Sequence, residues 1–173
     1  MNKSDILHMP DYFDRYIALA EDVPVLEALK ISLKELENAP IDKWKALGEQ
    51  VYAPGKWTIK DILQHYIDTE RVFVYRITAI ARGDKQKLLG YDENEYAANA
   101  KANLRTIDDL MEELILVRKS TIAMFSHFTP EMLQQQGFGQ SVQYGPLALG
   151  FMLAGHQRWH FRVLEERYYP LLG

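Results

Sequence analysis

Cysteine is absent from the 173-residue chain. Disulfides, thiolate metal sites and a cysteine nucleophile are therefore excluded, and any metal must be held by histidine, aspartate or glutamate. Basic surplus is missing too: 20 lysines and arginines face 24 acidic residues, a net charge of −4. A protein that grips nucleic acid by neutralising phosphates needs a basic face, so no nucleic-acid partner is expected. No apolar run approaches the length that spans a bilayer. Met1 to Arg15 is polar, carries charges throughout and lacks the apolar centre of a signal peptide. No membrane partner and a cytoplasmic location are the corresponding expectations. Several catalytic signatures are missing as well: a Gly-rich phosphate loop, a Gly-x-Ser-x-Gly elbow and the paired Glu-x-x-His motifs of di-iron bundles.

What is present is helical periodicity. The length suits one domain over residues 1–173. A first helix is predicted after Asp22 as N-cap, with Pro24 in its first turn and a stripe of Val25, Leu26, Leu29, Leu33 and Leu36. A second starts at Thr58, with Asp61 three residues on in capping-box form. It carries Ile59, Ile62, Tyr66, Thr69 and Phe73, and closes at Gly83. A third opens with Thr106 and Asp109 in the same pattern and runs through Leu110, Met111, Leu114, Val117, Thr121 and Phe125. A fourth runs from Pro146 to about Tyr168 and stops before Pro170. No strand is predicted, and Ile41–Leu47 reads as a short helical turn. Four amphipathic helices make an all-α four-helix bundle the natural packing. The long links, Gly83 to Arg105 and Phe128 to Gly145, permit crossover winding and are of a length that often shapes a site.

The fourth segment contains Gly155-His156-Gln157-Arg158-Trp159-His160. Histidines four apart share one helix face. The stripe Leu149, Met152, Leu153, His156, His160, Val163, Leu164 places both where a core would take leucine. Two unpaired imidazoles there would cost about 1–3 kcal/mol each, so a ligand role for them is the better account. A catalytic metal site needs a third protein ligand. His8 lies in the polar N-terminal arm and His127 ends the third helix, where a histidine commonly only complements the helix dipole. His65, beside the inward stripe of the second helix, is the best candidate. Asp61, Asp68, Glu70 and Glu166 could ligate instead, or could receive the second ring N–H of a ligating histidine. A His-Glu-x-x-His protease is excluded, because the place of its glutamate is taken by Gln157. Arg76, Tyr91, Tyr96, Arg118 and Trp159 are candidates for a pocket wall, each with an ordinary packing or surface role as the alternative.

The run Tyr52-Ala53-Pro54-Gly55-Lys56-Trp57-Thr58-Ile59-Lys60-Asp61-Ile62-Leu63-Gln64-His65, followed by Asp68-Thr69-Glu70-Arg71, resembles the first signature of the DinB-like superfamily. Gly155-His156 through His160-Phe161 resembles its second, and Arg118 and Tyr144-Gly145-Pro146 match as well. The resemblance covers nearly the whole chain. It implies a bundle with up-down-down-up winding, often a homodimer, and a divalent metal held by three histidines; the matching positions are His65, His156 and His160. It also implies relatives that are transferases and isomerases using low-molecular-weight thiols such as bacillithiol and mycothiol, with others described as hydrolases.

Three functions follow for comparison. In the first, the metal takes a small thiol cosubstrate as thiolate, supplying a nucleophile without a cysteine, and the enzyme is an S-transferase acting on a small molecule. In the second, it is a hydrolase that uses water made acidic by the ion. In the third, the bundle is a metal-stabilised binding or dimerisation module without turnover. Imidazole ligands favour zinc or nickel, with iron, manganese or copper as other divalent choices.

Overall fold

The computed structural model describes residues 1–139 and 142–173. In chain order the helices are α1 (Asp14–Ile17), α2 (Val25–Glu37), α3 (Ile41–Leu47), α4 (Ile59–Ala81), α5 (Glu93–Ala100), α6 (Ile107–Phe125), α7 (Pro130–Gln134) and α8 (Pro146–Val163). Two short strands, β1 (Gly137–Phe138) and β2 (Gln143–Tyr144), pair antiparallel with Gly137 opposite Tyr144. The four long helices are those read from the sequence. Around the bundle they neighbour one another in the order α2, α6, α4, α8, so that α2 and α4 face across one diagonal and α6 and α8 across the other. Two of the three links between long helices, α2 to α4 and α6 to α8, thus cross a diagonal, which needs a long connection, whereas α4 and α6 are neighbours.

The helix starts obey local chemistry. Thr58 Oγ1 accepts from the Asp61 amide while the Asp61 carboxylate accepts from the Thr58 amide, a complete capping box at the head of α4. Arg82 ends α4 and Gly83 follows at φ +84, a turn that a side chain would strain.

Four expectations need correction. A hairpin stands where no strand was predicted; its strands are too short for a period-2 pattern to register. The N-cap of α2 is Pro24, in extended conformation, rather than Asp22. At α6, Thr106 Oγ1 accepts from the Asp109 amide, but the Asp109 carboxylate turns to Arg105 at 2.8 Å and leaves the box half made. The last segment does not stop before Pro170. It continues as a wide π turn over Leu164–Tyr168 and a 3-10 turn over Tyr169–Leu172, where proline falls in the first turn and removes no needed donor.

The N-terminal arm is also more than a polar tail. Tyr16 and Ile17 are buried and α1 packs on α8. Gly155 makes that approach possible, because a Cβ there would run into the Tyr16 carbonyl.

Two apolar clusters fill the bundle. One gathers Leu29, Ile77, Phe125 and Phe151; the other gathers Leu36, Trp44, Leu63, Leu110 and Leu164. On each long helix a buried polar residue lies between the two: Ser32 on α2, Glu70 on α4, Arg118 on α6 and Gln157 on α8. Arg118 Nε donates to both Glu70 oxygens at 2.8 and 3.0 Å, and its Nη1 donates to Gln157 Oε1 at 3.1 Å and to Ser32 Oγ. Thr121 Oγ1 donates to Glu70 at 2.7 Å. This layer shares its level with the histidines of α4 and α8.

Candidate metal centre

His65 projects from the second turn of α4, and His156 and His160 project from one face of α8. The helices are neighbours, and the three rings converge. His156 Nε2 lies 3.2 Å from His65 Nε2 and 3.1 Å from His160 Nε2, and one ligand nitrogen from each ring lies within 4.8 Å of the others. Three aromatic rings enclose them: Tyr16 stands edge-on to His156 at 5.1 Å, Tyr66 edge-on to His160 at 5.3 Å, and Trp57 tilts over His65 at 4.7 Å.

These separations suit a shared cation better than a hydrogen-bond chain. A neutral imidazole nitrogen has one proton or one lone pair, so His156 Nε2 cannot satisfy two facing nitrogens at once. Nitrogens bound at about 2.0–2.1 Å to one zinc-sized ion stand roughly 3 Å apart at near-tetrahedral angles. Burial keeps the rings neutral, as ligation requires. It pushes the His65 pKa down to about 4 and that of His160 to about 3. His156 is lowered well below the usual value by burial first and by His160 and His65 second. Thr69 Oγ1 lies 3.3 Å from His65 Nδ1 and 3.5 Å from its Nε2, so it packs against the ring rather than along either nitrogen, and it lies 2.8 Å from the Tyr91 hydroxyl.

The carboxylates weighed from the sequence lie elsewhere. Asp61 caps α4, Asp68 accepts from Gln64 at 3.0 Å, Glu70 pairs with Arg118, and Glu166 is exposed. His8 and His127 are exposed. Among the described residues, the triad that could hold a metal is His65, His156 and His160.

The rings form one wall of an open cavity of about 530 Å³. Arg76, Tyr91 and Trp159 line it, as weighed from the sequence, whereas Tyr96 packs tilted against Tyr91 with ring centres 4.8 Å apart and Arg118 belongs to the core. His65, Thr69, Phe73 and Arg76 all face this space. At 100° per residue those four positions fall on a single helix face. Tyr12, Phe13 and Tyr16 of the N-terminal arm complete the wall and were missed by the sequence reading. Their spacing with Ile17 was the available signal.

A family model describing the DinB superfamily matches residues 12–164. The chain belongs to the DinB superfamily. Among solved structures it is similar to YfiT from Bacillus subtilis, at 17% identity and a TM-score of 0.68 over 92% of this chain and 87% of that one. YfiT is described as a probable metal-dependent hydrolase with an unusual four-helix bundle topology, and the likeness extends to the fold. No curated protein matches the sequence. No helix among the described residues is long and apolar enough to cross a membrane.

Proposed function

We propose that this member of the superfamily is a divalent-metal-dependent enzyme in which His65, His156 and His160 hold the ion and a low-molecular-weight thiol is transferred to a small electrophile in the cavity. The observation that carries this is the placement of three neutral imidazoles, two buried and one half-buried, on the wall of a cavity with no carboxylate beside them. Among the described lining residues the carboxylate is Glu93, which is exposed and makes no contact with the triad. When bound, a divalent ion supplies Lewis acidity and makes a coordinated thiol or water acidic. A thiol bound there would already be ionised, its proton given up to solvent, and would need no separate base; as the new C–S bond formed, the electrophile's leaving group would depart into the open cavity. The protein's own contribution is orientation and exclusion of water. Thr69 and Trp57 pack against the His65 ring, and Tyr16 and Tyr66 shield the other two.

Hydrolysis is the second reading, favoured by the description of YfiT as a probable metal-dependent hydrolase. Zinc or nickel suits three imidazoles, and the sequence expectations of a homodimer and a cytoplasmic location go with either reading. The test combines elemental analysis with two activity screens. S-transfer requires that metal-loaded protein consume a glutathione- or bacillithiol-like thiol in the presence of an alkylating electrophile, and that His160→Ala stop it. Cleavage of esters or amides without thiol consumption assigns hydrolysis. Silence in both, with metal raising only the melting temperature, leaves a binding module.

A further inference from the structure

Arg76 is a buried cation without an acid. Its side chain is 7% exposed, yet the ion pairs of the described residues engage Arg71, Arg105, Arg118 and Arg158 and leave it out. The two residues outside the described set, Gln140 and Ser141, carry no charge that could serve. Glu93, on the same cavity wall, is exposed and forms no ion pair with it. Two contacts hold the guanidinium still: Nη2 donates to the Leu89 carbonyl at 2.7 Å, and Cζ sits 4.6 Å over the Phe73 ring. Neither neutralises it. A buried charge without a partner is costly, and its persistence asks for a counter-ion from outside the chain.

A second, independent observation points the same way. The Tyr144 hydroxyl is buried and has no hydrogen-bond partner among the described residues, and Tyr144 lines the same cavity. Burial raises its pKa while the Arg76 charge pulls it down, so the hydroxyl stays a protonated donor within the field of the guanidinium. Donors of this kind, planar nitrogen fork and hydroxyl, fit the two oxygens of a carboxylate.

We infer that the part of the cavity around Arg76 and Tyr144 is an oxyanion subsite that takes the carboxylate of an elongated, partly aromatic substrate whose other end reaches the histidines. Arg76 is eleven residues beyond His65 on one face of α4, about 16 Å of helix rise, which an arginine side chain leaning toward the helix N-terminus shortens. Phe13, Phe73 and Trp159 line the space. The inference rests on the cavity being the substrate site, as proposed above. Its test does not depend on the metal.

Benzoate is the probe, titrated into full-length protein stripped of metal by chelation, with the emission of Trp57 and Trp159 and calorimetry as readouts. Benzamide is the uncharged control and phenyl phosphate the second oxyanion. The expected result is saturable binding of benzoate, weakened about tenfold or more in Arg76→Gln and less in Tyr144→Phe, with benzamide binding weakly and indifferent to either change. Circular dichroism and melting temperature establish that each variant is folded. Should Arg76→Gln not fold, Arg76→Lys, which keeps the charge but loses the fork, and Tyr144→Phe carry the test. Equal binding of benzoate and benzamide, unchanged affinity in the folded variants, or no benzoate binding overturns the subsite; tighter binding of phenyl phosphate overturns its assignment to a carboxylate. Because benzoate is titrated into metal-free protein, its failure to bind tells against the subsite alone, whereas failure of the wild-type protein to retain zinc, read separately by elemental analysis, tells against the metal reading alone. Failure of the metal reading is thereby told apart from failure of this one.

Discussion

Arg118 and Glu70 form an ion pair at 2.8 Å with side chains only 3% and 2% exposed, at the level where all four long helices contribute a polar residue. The pair is completed by Thr121, Gln157 and Ser32, so no charge is left without a partner. Gln157 adjoins His156 in sequence, and its carbonyl accepts from the Tyr66 hydroxyl at 3.2 Å. The layer therefore ties the histidine-bearing turn of α8 to α2, α4 and α6.

Removing one member of the pair should be far worse than its surface appearance in sequence suggests. Glu70→Ala leaves a buried guanidinium uncompensated and is expected to cost about 3–5 kcal/mol, measured by urea denaturation. The double change Glu70→Leu, Arg118→Met should recover a large part of that loss. A double variant no more stable than Glu70→Ala would sink the account.

Gly155→Ala is expected to destabilise the protein by about 1–3 kcal/mol, because the new methyl meets the Tyr16 backbone rather than a yielding side chain. Detachment of α1 should accompany the loss, seen as faster amide exchange over residues 13–20. An unchanged exchange pattern contradicts the proposed close approach.

Each of His65→Ala, His156→Ala and His160→Ala should abolish stoichiometric metal binding at micromolar metal, read by elemental analysis after gel filtration. A variant that retained full occupancy would remove that residue from the ligand set.

The metal-free protein should lose stability as the pH falls from about 6.5. The unfolded histidines take up protons near 6.5, whereas folded His65 and His160 resist down to about 4 and about 3. The unfolded state thus binds more protons in that window, and stability declines through it with no such penalty above it. Urea midpoints measured between about pH 7 and about pH 5 should fall less steeply in a His65→Gln, His160→Gln variant. Parallel slopes would place the acid sensitivity elsewhere.

Much of this molecule was written locally. The capping box of Thr58 and Asp61 and the i, i+4 spacing of His156 and His160 depend on residues within one or two helical turns, so the sequence sufficed to place them. The apolar stripes of the four long helices were legible for the same reason. The two-residue strands lacked the length to show a period, and Asp109 made a box in sequence that Arg105 dissolved by competing for its carboxylate. Glu70 and Arg118 stand 48 positions apart, and nothing in either neighbourhood announces the other.

Sequence alone determined the four long helices, the scarcity of ligand types and the pair of histidines on α8, because periodicity and side-chain chemistry are properties of short segments. Only the tertiary structure decided that α4 and α8 are neighbours, that His65 meets the pair, and that Arg76 and Tyr144 share a cavity in which no acid pairs with the arginine. Those relations arise from how whole helices pack against one another, which no window of residues encodes.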